Sequence, residues 1–307
     1  MTSHAKAPAK VNLQLTVGPV REDGYHPLVT VFQALALWEH VVAAPRADGR
    51  ITLTVDAAPG APVAIDAVPT DERNLAWRAA ALLAEEYGIA DGVDLAITKG
   101  VPVAGGMAGG SADAAAALVA CADAWDLGAT RADLARLGAR LGADVPFSLH
   151  GHTAMGLGRG DELTPVMTRG EFHWVLATQA EGLSTPAVFA EYDRQVAAGD
   201  LEPSDMRARD AIMSALLAGD AESLGAALAN DLEAPALALA PRLGAVLAAA
   251  EEAEALGVMV SGSGPTVAAL AHSRRHALAI AAHLDAARVA DAVVTASAPA
   301  SGTVLVG

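Results

Sequence analysis

The stretch "KGVPVAGGMAGGSADAAAALVA", residues 99–120, sets five glycines ahead of a run of small and apolar side chains. Glycine allows positive φ and lets a ligand reach the main chain, so a glycine cluster that opens a helix suits an anion held by N–H groups and the helix dipole. Ser111 is a good N-cap residue type, Asp113 suits a first turn by charge, and the alanines around them favour helix. Phosphate is the ligand this pattern fits; a flexible loop that merely starts a helix is the alternative. A Walker A loop needs Lys and then Ser or Thr after its second glycine, whereas Gly110 is followed by Ser111 and Ala112. A dinucleotide fingerprint needs glycine where Ala104 stands. The loop must therefore draw its cation from elsewhere in the chain.

Lysine is scarce enough to locate that cation. Of the 20 bases only Lys6, Lys10 and Lys99 are lysine, and the other 17 are arginine. In "PAKVNLQL" the alternation puts Lys10, Asn12 and Gln14 on one face of a strand and Val11, Leu13 and Leu15 on the other. A solvated polar face and a binding face read equally from that pattern. "LGADVPF" isolates one carboxylate, Asp144, which facing Lys10 would stay ionised and accept a proton from an alcohol; capping a turn is its other use. Tyr25 and His26, in a chain with 4% aromatic residues, offer a stacking platform for a base or a loop anchor. "SGSGPT", residues 261–266, is a second Gly/Ser turn that either closes over phosphates or makes a tight hairpin. His150 and His152 are expected to share a strand face and His272 and His276 a helix face, but neither pair has the companions of a zinc site.

The elements that must hold these groups alternate irregularly. Strands are expected at 10–17, 29–37, 40–44, 51–55 and 93–99, and helices at 74–88, from the glycine loop onward, and at 130–142. A hairpin follows at 152–166, a strand at 172–179, and a mostly helical, alanine-rich run from Thr185 to about Leu256. A strand–turn–strand at 258–270, a helix near 274–286 and a strand at 291–298 complete the chain. This order fits an α+β fold with a boundary near 165–172, and hence domains 1–168 and 169–307. Thirty-six acids against 20 bases argue against a nucleic-acid surface. The single cysteine, Cys121, allows no intrachain disulfide, and no apolar run has the length of a membrane span, so a cytoplasmic protein is expected.

Together, "PAKVNLQL…REDGYHPL", "PVAGGMAGGSADAA" and "VSGSGPTVAAL" resemble, in order and spacing, the three motifs of the GHMP small-molecule kinases. The first, with "LGADVPF", looks like the branch acting on CDP-methylerythritol in the non-mevalonate isoprenoid pathway. The resemblance implies a two-domain fold: an N-terminal domain like domain 2 of ribosomal protein S5 and a ferredoxin-like C-terminal domain. It also implies ATP and Mg²⁺, and a monomer or homodimer with small-molecule partners only. Pro102, Val103, Ala104, Gly105, Gly106, Met107, Ala108, Gly109, Gly110 and Ser111 would wrap the ATP phosphates. Asp144 would be the base and Lys10 its partner. Asn12 would hold the polyol, Tyr25 and His26 the cytosine, and Phe189 the other face of the base. Asp113 departs from the family's asparagine, so it must hold Mg²⁺ or point away from the phosphates, which leaves the metal ligands open.

Overall fold

The computed structural model describes every residue except Asp23, Ala104 and Gly105. Two long strands, β1 (Ser3–Val17) and β2 (Leu28–Arg46), pair antiparallel and form the spine of the first sheet. β2 continues antiparallel onto β4 (Gly92–Lys99), which pairs in parallel with β3 (Ile51–Ala57). Between β3 and β4 runs α1 (Leu75–Tyr87), which starts where the Asn74 side chain accepts the Ala76 N–H and stops at left-handed Gly88. α2 (Gly109–Ala124), α3 (Arg131–Leu141) and α4 (Val145–His150) follow. The hairpin β5 (Thr153–Leu157) and β6 (Glu162–Pro165) then adds to the other half of β2. α2 is alanine-rich because it is buried between the sheet and the other helices: small side chains let its backbone approach Ala5, Ala7, Val41 and Ala43.

The second sheet is antiparallel, in the order β11 (Ala292–Ala298), β7 (Phe172–Thr178), β10 (Val267–Ala271), β9 (Gly257–Val260). α5 (Thr185–Ala198), α6 (Asp210–Ala218), α7 (Ala221–Ala227), α8 (Glu233–Leu239), α9 (Leu243–Glu252) and α10 (Arg274–Ala287) belong to this half. The chain passes from the first sheet to the second between Pro165 and Phe172, and two short strands return. β8 (Ala229–Asn230) pairs in parallel with β1, and β12 (Val304–Leu305) pairs antiparallel with β1. One apolar cluster bridges the sheets, with Val11, Leu13, Val31 and Met107 packed with Trp174, Leu176, Met259 and Leu270.

Three expectations are corrected. The strands at 29–37 and 40–44 are one strand, because Glu39, the residue that reads as a break, is fully buried and bonded to Lys99. Ser111 is not a cap: the helix begins at Gly109, the N-cap is left-handed Ala108, and no side chain caps it. The histidine pairs do not share faces. His150 ends α4 and His152 has a φ of 54°, while His272 lies before the N-cap Ser273 of α10.

Candidate active site

The β1 polar face is reorganised by a bulge. The β1–β2 register shifts between Asn12 and Gln14, and a one-residue shift moves every following side chain to the opposite face. The wall of the central cavity therefore runs Lys10, Asn12, Leu15. Gln14 instead donates to Arg207 O at 2.8 Å and accepts the Arg209 N–H at 2.9 Å. Lys10 Nζ donates to Asn12 Oδ1 at 2.7 Å, Asn12 Nδ2 donates to Thr30 Oγ1 at 2.8 Å, and Thr30 Oγ1 donates to Gln14 O at 2.7 Å. This relay fixes both side chains. Burial pulls the Lys10 ammonium below the usual lysine range, and the negative charge of Asp144 opposes that shift. Asp144 sits at the N-cap position of α4 but caps nothing with its side chain, and it lines the same cavity.

The glycine loop is fastened on two sides. Met107 O accepts the Lys10 backbone N–H at 3.2 Å, and the Met107 side chain is buried in the cluster between the sheets. Gly106, with φ of 70°, packs on the Gly/Ser turn between β9 and β10, where a Cβ would lie 2.6 Å from Ser261 O and 3.2 Å from Gly264 O. From the same turn, a Cβ at Gly262 would lie 3.3 Å from Asn12 Oδ1 and 3.4 Å from Lys10 Nζ. All three glycine- or lysine-bearing segments thus converge. The cavity, about 340 Å³, is lined by Lys10, Asn12, Asp144, Gly106, Gly109 and Gly262 among others. Ala108 and Gly110 also line it; Pro102 and Val103 line a separate hollow of about 200 Å³ across Gly109 and Gly110. Ala104 and Gly105 lie outside the described residues. The Ser111 hydroxyl faces the α3–α4 turn, where a Cβ on Gly142 would lie 3.9 Å from it.

A second cavity of about 730 Å³ opens from the first and shares Leu28, Arg159, Thr185 and Phe189 with it. It gathers Tyr25, His26 and Phe189. The His26 and Phe189 rings lie 5.1 Å apart at 31°, and His26 Nδ1 donates to Gly18 O at 2.8 Å, so His26 is an anchor as well as a wall. Tyr25 is 57% exposed, its ring 5.9 Å from the Arg159 guanidinium.

Beneath the glycine loop lies a cluster that the sequence reading saw only in part. Lys99 Nζ is 2.6 Å from Asp113 Oδ2 and 2.5 Å from Glu39 Oε1, and Glu39 Oε2 accepts the Gly100 N–H at 2.9 Å. Burial raises the Glu39 carboxyl to about 8, assisted by the negative Asp113 and opposed by Lys99; burial likewise raises Asp113 to about 6. Asp113 is thus paired with Lys99 beneath the loop, where both line the hollow across Gly109 and Gly110. Glu39 had one signal in the sequence, a lone acid in the apolar run "LALWEHVVAA". Thr30, Arg159 and Thr185 had none, because only folding brings them to the cavities.

Residues 74–152 match the family model of the GHMP kinases N terminal domain, and residues 212–290 that of the GHMP kinases C terminal. The chain is 53% identical to a 4-diphosphocytidyl-2-C-methyl-D-erythritol kinase of Thermobifida fusca, over 98% of this chain and 97% of the relative. It is 52% identical to the protein of the same name from Nocardia farcinica, over 97% and 94%. A crystal structure of 4-(cytidine 5'-diphospho)-2C-methyl-D-erythritol kinase superposes with a TM-score of 0.77 at 32% identity, over 98% of this chain and 100% of that one. The homoserine kinase of Cytophaga hutchinsonii, at 18% identity, superposes with a TM-score of 0.72 over 99% and 97% and shares the fold.

Proposed function

The chain belongs to the GHMP kinases, in the branch of the 4-diphosphocytidyl-2-C-methyl-D-erythritol kinases, and we propose from its site how it carries out that branch's reaction. The enzyme transfers the γ-phosphoryl group of ATP to the 2-hydroxyl of 4-diphosphocytidyl-2-C-methyl-D-erythritol, giving the 2-phosphate and ADP, in isoprenoid precursor biosynthesis. The observation that carries the mechanism is that Lys10, Asp144 and the glycine loop line one cavity, which opens directly into an aromatic one. The two divisions of labour follow the proposed domains, 1–168 for ATP and 169–307 for closing the site.

Of the loop residues 102–111 assigned to ATP, Gly106, Ala108, Gly109 and Gly110 line the cavity and would hold the phosphates with main-chain N–H groups and the α2 N-terminus. The nucleoside end of ATP takes the hollow on the far side of Gly109 and Gly110, walled by Pro69, Asn74, Pro102 and Val103. Tyr25, His26 and Phe189 take the cytosine, and the polyol extends back to Asn12. Asp144 accepts the hydroxyl proton as the oxygen–γ-phosphorus bond forms and the bond to the β,γ-bridging oxygen breaks, with ADP leaving. Lys10, held by Asn12, offsets negative charge beside Asp144. Among the described residues no group of three His, Cys, Asp or Glu could enclose a metal. Mg²⁺ would be carried in on the triphosphate, and Asp113, committed to Lys99, would not hold it. The ion would neutralise charge on the phosphates.

The test is ADP release by purified protein offered CDP-methylerythritol, mevalonate and homoserine in turn. Turnover of the first is expected; turnover of mevalonate or homoserine alone overturns the reading.

A further inference from the structure

A substrate running from the reacting hydroxyl to the cytosine must thread the junction of the two cavities, and what it carries there is a diphosphate. Of the four residues that wall both cavities, Leu28, Arg159, Thr185 and Phe189, only Arg159 is charged. Carboxylates stand at both ends, Asp144 in the first cavity and Asp193 in the second, in a chain of net charge −16. An anion lodged between them needs a local cation. Lys10 lies at the reacting end, and Arg140 walls the second cavity alone, away from the junction.

Arg159 is built into place. It tips the β5–β6 hairpin, whose Gly158 O accepts the Leu28 N–H at 2.8 Å and whose Gly160 N–H is accepted by Leu157 O at 2.9 Å. Its Nη2 donates to Asp161 Oδ2 at 2.8 Å and to Ala139 O at 3.2 Å, and its guanidinium lies 5.9 Å from the centre of the Tyr25 ring. A guanidinium is a planar fork matched to phosphate oxygens, and one already oriented by a carboxylate loses little freedom on binding.

We propose that Arg159 is the substrate-binding residue for the diphosphate of the cytidine substrate, and that it selects nucleoside diphosphate derivatives over uncharged nucleosides. The proposal rests on the reaction assigned above. It makes the hairpin tip a specificity element: the guanidinium grips the diphosphate beside the Tyr25 ring, over which it lies at 5.9 Å.

The experiment compares binding of CDP and of cytidine, by calorimetry, to the wild-type protein and to R159M and R159K, alongside kinetics with CDP-methylerythritol. Wild-type protein should prefer CDP to cytidine. R159M should lose tenfold or more of that preference and raise KM for CDP-methylerythritol about tenfold to a hundredfold, with kcat and KM for ATP within about threefold. R159K should recover part of the loss. Equal weakening of CDP and cytidine in R159M, or no weakening of either, overturns the contact while leaving the reaction intact. A wild-type protein that binds CDP but does not turn over CDP-methylerythritol overturns the reaction assignment and the contact with it.

Discussion

At the scale of single residues the site is an economy of few charges, each assigned by its surroundings. Asp144 has no capping bond to make, and Lys10, desolvated on β1, is the cation that responds to it. General-base assistance contributes typically about 10²–10⁴-fold, so Asp144→Asn should lower kcat by that factor with both KM values within about threefold. Lys10→Ala should also lower kcat, and the double variant should be little worse than the poorer single one if the pair acts as a unit. Near-normal turnover in Asp144→Asn would remove the base and leave positioning alone. The Lys99 cluster makes a different prediction. The folded Glu39 keeps its proton up to about pH 8, whereas the unfolded carboxyl loses it near its ordinary 4.5, so folded protein binds more protons between those values and stability falls as pH rises through them. The slope is at most about 1.4 kcal/mol per pH unit for one proton. Glu39→Gln should therefore lose less Tm than wild type between pH 6 and pH 8.5. Equal losses in the two proteins would show that the carboxyl does not hold that proton.

At the scale of elements, the glycine loop owes its shape to two neighbours remote in sequence. β1 fixes it through the Lys10 N–H and the β9–β10 turn fixes it through close packing on Gly106. A side chain at Gly106 meets backbone atoms at 2.6 Å and a positive φ, so it cannot be relieved by a rotamer change. Gly106→Val should raise KM for ATP at least tenfold, while circular dichroism keeps the native helix signal. Unchanged ATP affinity would detach the loop from the site. The loop and its helix were legible from sequence because glycine clusters and alanine runs act locally. The helix start was not: Ser111 has the chemistry of a cap, but left-handed Ala108, held by the packing around Met107, starts the helix earlier. The β1 face was misread for a related reason. Alternation put Gln14 beside Asn12, and a bulge, which leaves no composition signal, replaced it with Leu15.

At the scale of the whole molecule, the two sheets share one core and the site lies where they meet. Leu270 on β10 and Met107 behind the phosphate loop belong to the same buried cluster as Val11 and Val31, and β12 returns to pair with β1. The halves should therefore unfold together. Calorimetry should show one transition, and Leu270→Ala should lower the stability of the whole chain by about 2–5 kcal/mol, the usual effect of opening a cavity in a core. Two separated transitions, with only one shifted by Leu270→Ala, would mean that the shared cluster does not couple the sheets. What the sequence by itself determined is what short-range chemistry dictates: an α+β chain, a glycine cluster opening a helix, a lysine and an aspartate that resemble a kinase pair, and a Tyr-His pair in a chain with few aromatic residues. What only the tertiary structure decided is which of these groups meet. Lys10 and Asp144 are 134 positions apart (144 − 10) and converge because β1 and the start of α4 wall one cavity. Asp113 has its charge countered beneath the loop by Lys99, a partner 14 positions away that only folding brings to it. Arg159 gains its place at the junction of two cavities from a hairpin tip whose own sequence names no ligand. Residue type fixes what a group can do, whereas its neighbours and its burial, set by long-range packing, decide what it does.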